Sequence, residues 1–161
     1  SFDDLPHLRY VRLCVLESLR LRAPSTIMRK IIKDTQIGPF KVAAGDMLML
    51  SPQLVHRDAA HYTDPLVYNP DRFQMVGSDV DSQMFVNELR FLSFGSGPYR
   101  CPGRSFAMVE LTLFVSALLY NFTLTLRDKM PEGRMDRLVG VQHPERPAFV
   151  DFVARPHSKL L

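Results

Sequence analysis

Cysteine is scarce in this 161-residue sequence, which contains only Cys14 and Cys101. Two isolated cysteines do not make a disulfide framework, and neither takes part in a zinc-type spacing. A disulfide-stapled scaffold is therefore excluded, and we expect a reducing compartment. Cys14 lies in the apolar run 11–16 and is interpreted as an ordinary core residue.

Long apolar runs, repeats and low-complexity segments are also missing. No stretch reaches the roughly 18 apolar residues that a membrane-spanning helix needs, and no signal peptide is visible. The net charge is only +3 and the basic residues are scattered, so nothing indicates a nucleic-acid-binding surface. With 46% hydrophobic and 23% charged residues, the composition predicts one folded domain with a sizeable core.

A glycine-rich segment, residues 91–107, brings the second cysteine to an apolar helix. We expect Cys101 in the first turn of that helix, where partial positive charge and unpaired N–H groups favour thiolate over thiol. Gly95 and Gly97 allow positive φ and the close approach of a flat ligand, and Phe94 adds an aromatic face. This pattern favours a ligand for a soft metal. The alternative is a buried structural cysteine in an ordinary loop.

The segment resembles the haem-binding loop of the cytochrome P-450 superfamily, Phe-x-x-Gly-x-(Arg/His)-x-Cys-x-Gly. The matching residues are Phe94, Gly97, Cys101 and Gly103. The superfamily's Arg or His, which binds a haem propionate, is replaced by Tyr99, and Arg100 follows one position later. The resemblance implies that the cysteine sulfur ligates haem iron. It also implies a cofactor-binding set of Phe94, Gly95, Gly97, Arg100 and Gly103.

The first helix is predicted to run from Asp4 or Pro6 to Leu21. Its apolar residues cover nearly all faces, so we expect it to be buried together with Glu17 and Arg20. Buried charges persist only when they are paired and further hydrogen-bonded. The two residues resemble the superfamily's Glu-x-x-Arg pair, and the alternative is a solvated pair worth about 0.3 kcal/mol.

A third charge for this pair is predicted further along the chain. The sequence Pro-Asp-Arg-Phe at residues 70–73 resembles the superfamily's Pro-Glu-Arg-Phe. Arg72 would then complete a triad with Glu17 and Arg20 and hold the irregular segment 63–73 against the first helix. His56 and His61 are five residues apart and face different sides of a helix, so we expect surface or capping roles rather than a metal pair.

Short strand-like runs predict a small antiparallel sheet between the first helix and this segment. The runs are residues 26–28, 35–37 and 46–50. In the superfamily, the strand after the Glu-x-x-Arg helix lines the substrate cavity, and a basic residue on it reaches a haem propionate. The resemblance implies this role for Arg29, and substrate contacts for Thr26 and Met28. An ordinary exposed strand arginine is the alternative.

The rest of the chain is predicted as a polar loop at 77–88, a helix from Cys101 to about Tyr120, strands at 121–126 and 148–154, and a loop at 131–147. The predicted core face of the helix consists of Phe106, Val109, Leu113, Phe114, Ala117 and Leu118. By resemblance, Val139 and Val141 in the loop at 131–147 would contact substrate. A β-hairpin packed on the core is the alternative there.

Taken together, the resemblance implies a mainly α fold with small β-sheets (α+β), the C-terminal portion of the cytochrome P-450 fold. Residues 1–161 would form part of a single haem-thiolate monooxygenase domain, with the N-terminal part absent. The chain opens without an initiating Met, and the superfamily's oxygen-activating helix is not in this sequence. No catalytic residue is therefore assigned, and a membrane anchor would belong to the absent part.

The implied activity uses O2 and electrons from NADPH, delivered by NADPH-cytochrome P-450 reductase docked near Arg100 and Arg104. The cysteine loop resembles the branch that holds the sterol 7α-hydroxylases and prostacyclin synthase. The expected substrate is a sterol or oxysterol such as 24-hydroxycholesterol, hydroxylated during bile acid synthesis at the cytosolic face of the endoplasmic reticulum membrane. The alternatives are a prostacyclin-synthase-like isomerase, which needs no reductase, and a non-catalytic fragment unable to hold haem.

Overall fold

Helices and paired strands alternate along the computed structural model, which describes residues 4, 7–23, 26–74, 90–135 and 142–156. The elements are α1 (Arg9–Leu21), β1 (Ile27–Lys30), β2 (Thr35–Ile37), β3 (Phe40–Val42), β4 (Met47–Leu50), α2 (Pro52–His56), α3 (Arg104–Asn121), β5 (Phe122–Leu126), β6 (Gly133–Met135), β7 (Gln142–Pro144) and β8 (Val150–Ala154). Two single-turn 3-10 helices occupy Pro70–Phe73 and Gly97–Tyr99. The predicted α+β class is confirmed.

The strands form two-stranded antiparallel pairs: β1 with β4, β2 with β3, β5 with β8 and β6 with β7. The small sheet predicted before residue 51 is therefore two separate pairs. Strand β3 was not predicted. It exists because Gly38, at φ +56°, turns the chain so that Phe40 lies opposite Ile37. The polar loop predicted at 77–88 lies outside the described residues.

Helix α1 is shorter than predicted. It begins at Arg9 rather than Asp4 or Pro6, and residues 7–8 before it have 3-10 rather than α-helical geometry. Its most buried face contains Leu13, Leu16, Glu17 and Arg20, which recur at helical spacing. The predicted burial of the two charges is confirmed, since both side chains are fully buried.

The core joins α1 to α3 and to the start of the cysteine loop. Its buried members are Leu13, Val15, Leu16, Phe91 and Met108, with Leu19, Phe73 and Phe94 packed against them. Phe91 and Phe94, which precede the cysteine by several positions, therefore pack the cysteine loop against this core.

Helix α3 differs from its prediction in two respects. It begins at Arg104, and it buries Met108 and Thr112, whereas the predicted core residues Phe106 and Phe114 are 72% and 66% exposed. The predicted face was wrong because the helix is apolar on all sides, so periodicity gives no direction. In the described residues, its packing against α1 decides the buried side. The helix continues directly into β5.

Within the described part of the chain, no helix is both long enough and apolar enough to span a membrane. The segment at 131–147, predicted as a loop, contains strands β6 and β7. Residues 136–141 between them, including Val139 and Val141, lie outside the described residues.

Candidate functional site

The cysteine loop is a hydrogen-bonded turn that closes on itself before α3. The N–H of Gly95 donates to the carbonyl oxygen of Leu92 at 3.0 Å, and the N–H of Cys101 donates to that of Phe94 at 2.8 Å. Gly95 and Gly97 have φ of +73° and +63°, so the predicted positive φ values are confirmed. A Cβ on Gly95 would lie 3.4 Å from the carbonyl oxygen of Tyr99. The backbone therefore turns where only glycine fits without strain.

Cys101 lies in a turn before α3 and not in its first helical turn, which corrects the prediction. Pro102 and Gly103 form this turn, and Gly103 is the N-cap. The cysteine is exposed, yet its sulfur remains beside the helix end, since a Cβ on Gly103 would lie 3.8 Å from it. The sulfur is thus accessible to a ligand and close to the partial positive charge of the helix N-terminus.

A partly open cavity of about 300 Å³ lies at the cysteine. It is lined by Gly97, Pro98, Arg100, Cys101, Pro102, Arg104 and Ser105. No group of three or more His, Cys, Asp or Glu side chains that could hold a metal occurs in the described ranges. Cys101 is the metal-ligating side chain in this lining, and a thiolate is one of the protein ligands that haem iron accepts.

Strand β1 brings Arg29 against the cysteine loop. The guanidinium carbon lies 4.6 Å from the centroid of the Tyr99 ring, and Nη1 donates to the carbonyl oxygen of Met28 at 2.8 Å. Arg100 lines the cavity itself. Arg29, Thr26 and Met28 are not among the residues that line this cavity.

Glu17 is the centre of a buried charge network. Arg20 donates to both carboxylate oxygens at 2.8 Å, and Nε of Arg72 donates to Oε1 at 3.1 Å. The N–H of Asn69 donates to the same oxygen at 2.9 Å. Burial raises the pKa of Glu17, but these hydrogen bonds and the charge of Arg20 outweigh it, so the net pKa lies below the ordinary value. The carboxylate is therefore ionised at neutral pH.

The two arginines also hold the irregular segment by its backbone. Arg20 donates through Nη1 to the carbonyl oxygen of Pro65 at 2.8 Å. Arg72 donates to the carbonyl oxygens of Thr63 at 2.8 Å and Val67 at 3.1 Å. The structure therefore brings the three predicted triad residues together, and the network fixes residues 63–67 against α1.

His56 is buried rather than on the surface, and it has the other predicted role, capping, at the end of α1; His61 is exposed. Nε2 of His56 accepts the N–H of Leu92 at 2.8 Å, so the proton is on Nδ1, which donates to the carbonyl oxygen of Arg20 at 3.0 Å. The ring stacks on Phe91 with centroids 5.5 Å apart. Burial and the nearby Arg20 charge lower the pKa of His56 to about 4. One feature of the sequence could have indicated this position for His56: the last carbonyl groups of a helix lack donors within the helix and need them from elsewhere.

Tyr62 also belongs to this network and was not singled out from the sequence. Its hydroxyl donates to the carbonyl oxygen of Arg90 at 3.0 Å, and the guanidinium carbon of Arg20 lies 4.9 Å from its ring centroid. Burial raises the pKa of Tyr62 to about 12, so the phenol stays neutral. The burial of Tyr62 could not be predicted from the sequence, because the surrounding segment has little hydrophobic periodicity.

The cytochrome P450 family model matches residues 1–152 of the chain. The chain belongs to the cytochrome P-450 family. Membership implies a haem cofactor, and the residues at the cysteine fit one, because the sulfur is exposed, the cavity adjoins it and the glycine turn lacks Cβ atoms. The same membership accounts for the order of the Glu-x-x-Arg, Pro-Asp-Arg-Phe and cysteine-loop segments.

Relatives of this P-450 chain include the mouse and human proteins named 24-hydroxycholesterol 7-alpha-hydroxylase. They are 37% and 35% identical over 155 residues, which is 96% of this chain and 32% of each relative. A tobacco 5-epiaristolochene 1,3-dihydroxylase is 35% identical over 141 residues, 85% of this chain and 26% of that relative. The chain thus spans a third or less of the length of these relatives.

Solved structures give the same family. A zebrafish cytochrome P-450 with abiraterone matches with a TM-score of 0.72 and 30% identity, over 96% of this chain and 36% of that one. A retinoic-acid-bound cyanobacterial CYP120A1 matches with a TM-score of 0.76 and 26% identity, over 91% of this chain and 32% of that one. The helices and strand pairs described above are therefore arranged as in part of a P-450 fold.

Proposed function

We propose that residues 1–161 form the C-terminal portion of a single haem-thiolate monooxygenase domain, with Cys101 as the iron ligand. The observation that supports this role is the exposed sulfur beside the N-cap of α3 and at the edge of the cavity. Cys14 lacks these features, because it lies within α1 and is partly buried. The N-terminal portion of the domain lies outside this chain.

The loop residues and Arg29 are proposed to contact different parts of the haem. Cys101 donates electron density to the iron, and the turn at Gly95 and Gly97 lets the flat ring approach the backbone. Arg29 and Arg100 bind the propionates, with Phe94 and Gly103 completing the loop. When bound, haem supplies the activation of O2 and the oxidation of a C–H bond. No proton-transfer residue is assigned within this chain.

The proposed substrate is a sterol or oxysterol, and the proposed reaction is oxysterol 7α-hydroxylation in bile acid synthesis. The supporting observation is the similarity to the two 24-hydroxycholesterol 7-alpha-hydroxylases across 96% of the chain. The proposed substrate contacts in the complete domain are Thr26, Met28, Val139 and Val141.

Electrons come from NADPH through NADPH-cytochrome P-450 reductase. Arg100 and Arg104 line the cavity at the cysteine and give this side of the loop a positive charge. We place the reductase there because opposite charges steer such transient encounters. The proposed location is the cytosolic face of the endoplasmic reticulum membrane, with the anchor outside this chain.

The full-length protein with Cys101→Ser tests the ligand assignment. Its reduced carbon monoxide spectrum should lose the red-shifted Soret band of a thiolate-ligated haem, and Cys14→Ser is the matched control that should keep it. A Cys101→Ser protein with an unchanged spectrum would contradict the assignment.

Product analysis with cholesterol and side-chain oxysterols then tests the substrate. Turnover that does not depend on NADPH and reductase would instead favour an isomerase.

A further inference from the structure

The last turn of α1 has free carbonyl groups, as every helix C-terminus does, and each receives a donor. The carbonyl oxygen of Ser18 accepts the N–H of Arg22 at 2.9 Å, and that of Leu21 accepts Nη2 of Arg57 at 3.0 Å. The other two donors are side chains that lead to the cysteine loop. Ser93 Oγ donates to the carbonyl oxygen of Leu19 at 2.9 Å, and His56 Nδ1 donates to that of Arg20.

Among these four donors, His56 is the one that also accepts a bond from the loop backbone. Its Nε2 accepts the buried N–H of Leu92 at 2.8 Å. Leu92 is the residue where the closed loop begins, because its carbonyl oxygen accepts the N–H of Gly95. A buried N–H without an acceptor is strongly unfavourable, so loss of Nε2 would favour movement of this backbone toward water.

We infer that His56 is a positioning residue that fixes the cysteine loop to the end of α1 by joining the Arg20 carbonyl to the Leu92 N–H. This contact also affects the position of the Cys101 sulfur. That part of the inference rests on the proposed function, in which the sulfur is the iron ligand. Its distance from α1 depends on backbone that the imidazole holds at residue 92, together with the Ser93 hydrogen bond and the apolar contacts of Phe91 and Phe94.

The surroundings of the ring keep it in the required form. Phe91 stacks on one face with ring centroids 5.5 Å apart, and the Tyr62 ring is nearly perpendicular to the imidazole, with centroids 6.4 Å apart. The charged group that faces it is the Arg20 guanidinium, which together with burial lowers the pKa of His56. The ring is therefore neutral at physiological pH, and Nε2 keeps its lone pair for the Leu92 N–H.

Two substitutions of His56 in the full-length protein separate hydrogen bonding from packing. His56→Gln places an uncharged carbonyl oxygen where Nε2 lies and has no ring to stack. His56→Phe keeps a ring against Phe91 but has no acceptor. If the inference is correct, loop amides 91–101 of the Phe variant exchange with deuterium about tenfold faster than in the wild type, while amides 9–21 change less. The Gln variant should remain close to wild type, as should the exposed-site control His61→Phe.

The spectrum gives a second readout. The Phe variant should lose part of the thiolate-type reduced carbon monoxide band, and the Gln variant should retain it. The inference is overturned if Phe preserves the loop better than Gln, or if 9–21 and 91–101 loosen equally. If neither variant folds, amide hydrogen exchange of the wild-type protein tests the inference. A Leu92 amide that exchanges much faster than the amides of α1 would overturn it. A wild type without a thiolate band rejects the proposed function, whereas the exchange measurements still judge His56.

Discussion

Arg29 and Tyr99 form a cation–π contact, with the guanidinium carbon 4.6 Å from the ring centroid. Tyr99 occupies the position where the family pattern has Arg or His. The aromatic residue thus replaces a cation within the loop and contacts a cation on β1. The positive charge beside residue 99 therefore comes from a different element, in addition to that of Arg100 within the loop.

The first prediction follows from this contact. Tyr99→Leu removes the aromatic face that orients Arg29, and an exposed cation–π contact is worth about 0.5–1 kcal/mol. Because Arg29 is proposed to bind a haem propionate, haem release should accelerate about threefold. Tyr99→Phe keeps the face and should release haem at the wild-type rate. Transfer of haem to an excess of apomyoglobin measures both rates. Equal release from the Leu and Phe variants would show that the ring does not orient the arginine.

Loss of the Glu17 charge should destabilise the fold strongly. Glu17→Gln leaves Arg20 and Arg72 without their carboxylate, and breaking a buried pair in this way costs about 3–5 kcal/mol. Urea unfolding of the full-length protein measures the loss. Asp151→Asn is the control, because its pair with Arg127 is exposed and solvent-screened, and it should unfold near the wild-type midpoint. Similar midpoints for the two variants would refute the buried-network account.

Acid should weaken the fold through His56. Its pKa falls from 6.5 to about 4 on folding, so the unfolded chain binds a proton that the folded chain does not. Stability is therefore complete above pH 6.5 and declines as pH falls toward 4, by about 3 kcal/mol in total. Unfolding free energies measured across this range should decline less in His56→Gln.

Glu17 acts in a lower pH range. Its folded-state pKa is below 4.5, so its stabilisation is present above the unfolded value and is lost as pH falls through the folded one. The decline below pH 4.5 should therefore remain in His56→Gln. A decline that disappears over the whole acid range in that variant would mean that Glu17 does not titrate as described.

The last prediction concerns the glycine turn. Gly97 has φ +63°, and no heavy atom lies within 4 Å of the place that an added Cβ would take. With no haem bound, Gly97→Ala therefore carries only the left-handed backbone penalty, about 1–2 kcal/mol. Gly97→Asn should cost less, because Asn tolerates this region better. Gly103→Ala has ordinary φ and is the backbone control. Thermal unfolding should rank the Ala variant of Gly97 as the least stable of the three.

The sequence predicted those features that local pattern specifies. Strands at 35–37 and 122–126 follow from alternation and turn residues, and positive φ at Gly95 and Gly97 follows from the turn that the loop must make. The burial of Glu17 and Arg20 followed from a helix that is apolar around them.

Features decided by distant neighbours were not predictable in this way. The burial of His56 depends on an α1 carbonyl and a loop N–H far from it in sequence. The buried side of α3 depends on where α1 packs, because the helix itself is apolar all round. The position of Cys101 before the helix depends on whether Pro102 begins the helix or the turn, and proline suits both.

Helix α3 passes directly into β5, and β5 pairs with β8 from Phe122 opposite Ala154 to Leu126 opposite Val150. A nascent polypeptide that has not yet emerged from the ribosome as far as residue 154 cannot complete this ladder. The far end of the cysteine helix is therefore held by strand pairing only after residue 154 has been synthesised.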